Sequence, residues 1–134
     1  MPRSLSGWRL GLDLVASAVV ASSLALAETP SPPGLVVVQM TSDRFAPATI
    51  QVTTGSTVVW RNGSNATHTV TADPSLAADA SHVHLPAGVL PFNSGRIGPG
   101  HEYSHRFDVP GRYGYVCLPH EDRGMRGTVL VIAP

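Results

Sequence analysis

The chain is 134 residues long, 43% hydrophobic and only 13% charged, and its nine basic residues balance nine acidic ones. Formal neutrality without a basic stripe argues against nucleic acid as a partner, and a single cysteine, Cys117, rules out an internal disulfide. The length suits one domain with a single core.

In chain order, the first element is a targeting segment. Arg3 and Arg9 give a basic start, Leu14 to Leu26 is apolar or small without charge, and Ala25-Leu26-Ala27 reads as a small-x-small cleavage site before Glu28. That is the pattern of a secretory signal peptide over residues 1–27. Asp13 charges the entry to the apolar run. A retained membrane anchor is the alternative, but the uncharged run is shorter than the roughly 18–20 residues that cross a bilayer. Removing residues 1–27 leaves 107, with seven basic and eight acidic side chains. The expected location is therefore periplasmic or extracellular. Residues 28–34, rich in proline, form a short extended linker, and the domain proper is expected over 35–134.

Short β-runs separated by turn residues follow. The expected strands are Leu35 to Met40, Thr49 to Thr53, Thr57 to Arg61, His68 to Thr71, His101 to Val109, Arg112 to Cys117 and Gly127 to Ile132. Gly55-Ser56, Asn62-Gly63-Ser64-Asn65 and Pro110-Gly111 supply turns between them. Several short strands at such spacing predict an all-β sandwich or barrel. Residues 73–91 carry no clear strand pattern and read as a long crossover between two sheets, with at most one helical turn in Pro74 to His84.

The chemistry gathers at the end of the chain. Cys117-Leu118-Pro119-His120-Glu121-Asp122-Arg123-Gly124-Met125 places a thiol, an imidazole and a thioether on one loop in the pattern Cys-x2-His-x4-Met. Alternation puts Tyr113, Tyr115 and Cys117 on one strand face, so a core-facing tyrosine pair carries the sulfur inward with it. Gly124 tolerates the positive φ that a sharp return before Met125 needs. His68 is well placed to add a second imidazole from elsewhere. Two His, one Cys and a weak, long Met bond are the ligands of a mononuclear copper site for electron transfer. An exported protein keeps its thiol in an oxidising compartment, where a lone thiol is open to oxidation or intermolecular pairing unless something occupies it; metal ligation would occupy it.

Residues 111–127, Gly-Arg-Tyr-Gly-Tyr-Val-Cys-Leu-Pro-His-Glu-Asp-Arg-Gly-Met-Arg-Gly, resemble the C-terminal copper loop of the plastocyanin branch of the cupredoxins. Phe45-Ala46-Pro47 and Val59-Trp60-Arg61-Asn62 leading to His68 resemble the family's N-terminal half, so the likeness spans roughly 35–132. The resemblance implies an eight-stranded Greek-key β-sandwich holding one copper ion that alternates between Cu(II) and Cu(I). His68, Cys117 and His120 would be its equatorial ligands and Met125 its axial ligand. It also implies single-electron transfer between redox protein partners, by a monomer, with His120 as the exit route. Many members of the family carry Asn directly after the first ligand histidine, where this chain has Thr69. Its single hydroxyl donates one hydrogen bond, not two, and looser coupling between the ligand loops is expected.

The remaining histidines read as structural. His82-Val83-His84 is expected as an exposed loop pair, although His-x-His also occurs in multicopper oxidases, and a weak second metal site is the other reading. His101 and His105 are expected as partly buried strand residues. An oxidase or nitrite reductase needs a second copper site, for which the 107 residues leave no room short of oligomerisation, so no enzymatic activity is expected. A copper-binding or copper-delivery protein without redox turnover is the alternative function.

Overall fold

The computed structural model describes residues 31–134. The expected signal segment and the first three linker residues lie outside the described residues. Nine strands form two sheets: β1 (Leu35–Met40), β2 (Phe45–Ala46), β3 (Thr49–Thr53), β4 (Ser56–Asn62), β5 (Thr71–Ala72), β6 (Phe92–Asn93), β7 (Glu102–Phe107), β8 (Gly111–Val116) and β9 (Arg126–Ile132). One sheet has the order β2-β1-β4-β7 and the other β3-β9-β8-β5-β6. Strands β1 and β4 run parallel, as do β3 and β9, and every other pairing is antiparallel. This is the expected β-sandwich. No helix among the described residues is long and apolar enough to cross a membrane.

Alternate residues of the strands line the inner faces of the sandwich, Tyr113 and Tyr115 among them as the sequence predicts. Val38, Met40, Val58, Trp60, Phe107, Tyr113, Tyr115, Val129 and Val131 are all buried. Trp60 from one sheet meets Tyr115 from the other edge-on, with ring centroids 5.3 Å apart at 82°. Its indole N–H donates to the Tyr115 hydroxyl at 3.0 Å, so neither buried polar atom is left without a partner. Phe45 closes on the far side of Tyr115, centroids 4.7 Å apart. The Tyr115 ring lies over Gly127, its cross-strand partner, where a Cβ would collide with the ring.

Four details differ from expectation. Strands β2 and β6 have two residues each, too short for any alternation to announce them. The expected strand from His68 narrows to Thr71–Ala72, and His68 itself is held by a single bridge to Ile97. Residues 73–91 do not cross between sheets: they leave β5 and return to β6 beside it in the same sheet. On the way they make one 3-10 turn, Ala80–His82, and lie against β8, where His84 and Gly114 exchange backbone bonds of 3.1 and 2.9 Å. Gly114 suits that approach, since a Cβ there would sit a tight 3.1 Å from the His82 carbonyl oxygen. The change of sheet falls instead between β6 and β7. There the Phe92 and His105 rings stack, centroids 4.0 Å apart at 20°, joining the edges of the two sheets.

Candidate metal centre

Cys117 directly follows β8, with its side chain in the core. Leu118–Arg123 then coils into a tight 3-10 turn that breaks at His120 (φ −127°, ψ 17°) and closes at Gly124, in the left-handed region at φ 79°. The return is pinned at both ends: the Met125 N–H donates to the His120 carbonyl at 3.1 Å and the Cys117 N–H to the Met125 carbonyl at 3.0 Å. Met125 is fully buried.

His68 arrives from a loop organised by a residue that the sequence presented only as a turn former. Asn62 is buried, and its amide donates to the carbonyls of Ala66 (2.7 Å) and Ile97 (3.0 Å). Its Oδ1 accepts from the Ser64 N–H at 3.0 Å and the Ser64 hydroxyl at 2.7 Å. Having donated its proton there, the Ser64 hydroxyl accepts from Nε2–H of His68 at 2.9 Å. That bond fixes the tautomer and leaves the Nδ1 lone pair free, as metal-binding imidazoles are commonly held.

Three of the four expected ligand residues converge. Sγ of Cys117 lies 3.5 Å from Nδ1 of His68 and 3.4 Å from Nδ1 of His120, and the two nitrogens are 3.1 Å apart. The circle through these atoms has a radius of about 1.9 Å, within a few tenths of the ~2.0–2.3 Å bonds such donors make to a transition metal. No other group of three His, Cys, Asp or Glu side chains among the described residues is placed to hold an ion. Burial, then the neighbouring His120, pushes the His68 pKa down and keeps its imidazole neutral. Burial pushes the Cys117 thiol up, against backbone bonds from Thr69 and His120. The thiol therefore gives up a proton as a metal binds.

Thr69 does more than its single proton suggested. The Leu118 N–H donates to its hydroxyl at 2.9 Å. The Thr71 hydroxyl donates to Oδ1 of Asn93 at 2.9 Å, so the 2.9 Å contact between the two threonines runs from Thr69 to Thr71. The hydroxyl reaches the loop through one bond, as an acceptor and not as the donor expected, and spends its proton on β5. Thr69→Val leaves the Leu118 N–H without its partner. Urea denaturation of the metal-free protein is expected to show a loss of about 1–3 kcal/mol.

The other histidines divide. His82 and His84 are half-buried, not exposed, because residues 73–91 pack onto β8. Nδ1 of His82 donates to Oε1 of Glu121 at 2.8 Å. His101 is exposed, a correction to the partly buried position expected, since β7 starts one residue later. His105 is half-buried against Phe92 as expected, and burial lowers its pKa.

Glu121, which the sequence reading passed over, is buried at 5% exposure. It accepts from the N–H groups of Ala78 (2.7 Å) and Asp79 (3.1 Å) as well as from His82. Burial raises its pKa, but these bonds outweigh burial and hold it below the ordinary 4.5. A carboxyl with a lowered folded-state pKa stabilises the fold fully above its unfolded-state value, and that stabilisation is lost as pH falls through the folded-state value. The melting temperature of the metal-free protein should therefore fall on acidification below the ordinary carboxylate range, and Glu121→Gln should flatten that decline.

A β-sandwich that brings two imidazoles and a buried cysteine together at one end defines a mononuclear copper protein of the cupredoxin fold. Comparison with known proteins agrees. A family model for copper binding proteins of the plastocyanin/azurin family matches residues 34–132, and the chain belongs to that family. Chloroplastic plastocyanin of Pisum sativum is 32% identical over 134 residues, an alignment covering 96% of this chain and 73% of that one. Chloroplastic plastocyanin of Tetradesmus obliquus is 36% identical over 87 residues, 65% of this chain and 57% of its own length, so this chain spans little more than half of that relative. Halocyanin of Natronomonas pharaonis is 34% identical over 89 residues, 65% of this chain and 47% of that one. Among solved structures, a Cu(I) form of an amicyanin mutant matches with a TM-score of 0.59 at 27% identity, covering 76% of this chain and 86% of that one. Copper is the cofactor.

Proposed function

We propose that this protein is an exported carrier of single electrons between redox protein partners. In this reading His68, Cys117, His120 and Met125 would together hold one copper ion. The observation that carries the reading is the convergence of the three donor atoms, one sulfur and two ring nitrogens, within hydrogen-bond distance of one another. Copper, when bound, takes up and releases one electron. The protein's contribution is to hold the donors still. Ser64 fixes the His68 ring, Thr69 ties the first ligand loop to the second, and the bonds between Cys117, His120 and Met125 close the loop. A site that keeps one geometry through both oxidation states needs little reorganisation as the electron passes.

Burial gives the route. His68, Cys117 and Met125 are sealed in the core, whereas His120 is partly exposed beside half-buried Leu118 and exposed Pro119. A partner meets the imidazole edge of His120 within that apolar rim, and the electron leaves there. Residues 1–27 act as the export signal and residues 35–134 as the copper domain. Reversible one-electron voltammetry of the loaded protein tests the reading. Stable Cu(I) binding without an oxidised blue form would favour copper delivery instead, and turnover of oxygen or nitrite would favour an enzyme.

Pro119 offers a second test. It has no N–H to donate toward the thiolate, and hydrogen bonds to the ligating sulfur help set the potential of such sites. Pro119→Ala is expected to raise the reduction potential, and voltammetry showing no rise would contradict this role.

A further inference from the structure

The two ring histidines of the centre are held in different ways. The His68 ring is fixed from behind by Ser64, at its Nε2. The His120 ring has no such support: its only hydrogen-bond-distance contacts are at Nδ1, toward Cys117 and His68, and Nε2 meets no partner among the described residues. A turn does not orient it either, because the helical backbone breaks at His120 itself. Beyond the His68 ring, whose centroid lies 4.9 Å away, what positions this imidazole acts through the backbone on either side of it. On one side lie the bonds to Cys117 and Met125. On the other lies Glu121.

Glu121 is the one buried acidic side chain among the described residues. Nothing in electron transfer through His120 uses it, and all its partners lie about forty residues upstream, in the segment that the sequence left without a pattern. Its carboxylate faces three donors and no acceptor: Ala78 N–H at Oε2, and Asp79 N–H and His82 Nδ1 at Oε1. Only a group with no proton of its own to offer satisfies that arrangement. A glutamine there would turn an NH2 toward at least one of the donors.

We propose that Glu121 and His82 form a clamp that positions His120, so that residues 78–82 set the geometry of the copper loop from outside it. The clamp rests on His120 being a ligand, as proposed above. Both members are positioning residues, because neither reaches the donor triangle. The clamp replaces, through the chain, the ring-to-side-chain bond that His68 enjoys. It also leaves the outer edge of His120 free of any side-chain partner. Groups bonded directly to a metal ligand are worth about 10–100-fold in metal affinity, and a clamp acting one residue away belongs at the lower end of that range.

The test compares full-length wild type with Glu121→Gln, His82→Phe and the control Asp122→Asn, which removes the same charge from the next, exposed position. In the metal-free proteins, amide hydrogen exchange reports on Ala78 and Asp79, and nuclear magnetic resonance line shapes report on His120. Glu121→Gln should lose protection at both amides, and both clamp variants should show a broadened or split His120 signal, while Asp122→Asn matches wild type. On copper loading, the clamp variants should shift the charge-transfer bands and bind copper about tenfold more weakly. If Glu121→Gln does not fold, His82→Phe, which leaves the carboxylate and its two amide donors in place, decides by the His120 signal, the spectrum and the affinity, and wild-type values of all three would overturn the proposal. Clamp variants that lose amide protection yet keep the wild-type His120 signal, spectrum and affinity would show a purely structural contact and overturn the proposal. So would an equal shift in Asp122→Asn, which would make the effect one of charge. If wild type itself forms no blue copper site, the proposed function fails, and the metal-free His120 signal still judges the clamp.

Discussion

Cys117→Ser should abolish the visible charge-transfer absorption of the copper-loaded protein and weaken copper binding by more than about a hundredfold, beyond what changes to outer partners of a ligand produce. The thiolate is the soft, easily polarised donor of the set, and a serine hydroxyl does not ionise near neutral pH to replace it. The substitution removes little volume, and the chain around it is held by backbone bonds to Met125 and His120 that do not involve the sulfur. The metal-free variant should therefore keep the circular dichroism spectrum of wild type. Copper titration followed optically, with a competing chelator to set the affinity, checks the expectation. A Cys117→Ser protein that still turned blue would remove the sulfur from the site.

Trp60→Ala should be the most damaging single change to the fold. The indole is fully buried where the sheets meet, between Tyr115, Phe107 and Tyr103. Truncating a buried tryptophan typically costs about 3–5 kcal/mol, and here it also strips the buried Tyr115 hydroxyl of its indole partner. Against a total stability of about 5–15 kcal/mol, that brings the metal-free protein close to unfolding at room temperature. The copper-loaded variant should recover part of the loss, because an ion that binds only the folded state stabilises it. Thermal denaturation with and without copper measures both effects. A small loss in the metal-free protein would mean that the sheets are held together elsewhere.

What the sequence made legible follows from how local each signal is. Cys117, His120, Gly124 and Met125 lie on one loop, and their spacing alone announced a metal-binding return. The alternation of Val58 and Trp60, and of Tyr113 and Tyr115, carries the two inner faces of the sandwich. Pairing His68 with them rested on family likeness, since fifty residues separate it from the loop. The features that escaped are long-range or polar. Glu121 reads as an ordinary loop acid until His82, 39 residues away, is folded against it. Asn62 reads as a turn former, yet it is buried and spends its amide on two carbonyls of different segments. Residues 73–91 gave no periodicity because they are held by backbone bonds to Gly114 and Glu121 and by scattered apolar side chains, Ala77, Val83, Leu85 and Val89, rather than by one long alternating face.

The account depends on one arrangement, in which a sulfur and two ring nitrogens, from residues 117, 68 and 120, share a single copper ion. X-ray absorption at the copper edge of the loaded, oxidised protein reads that first shell directly. The account predicts one short copper–sulfur bond and two copper–nitrogen bonds of imidazole type. A shell of nitrogen and oxygen alone, or one containing a single imidazole, would contradict it.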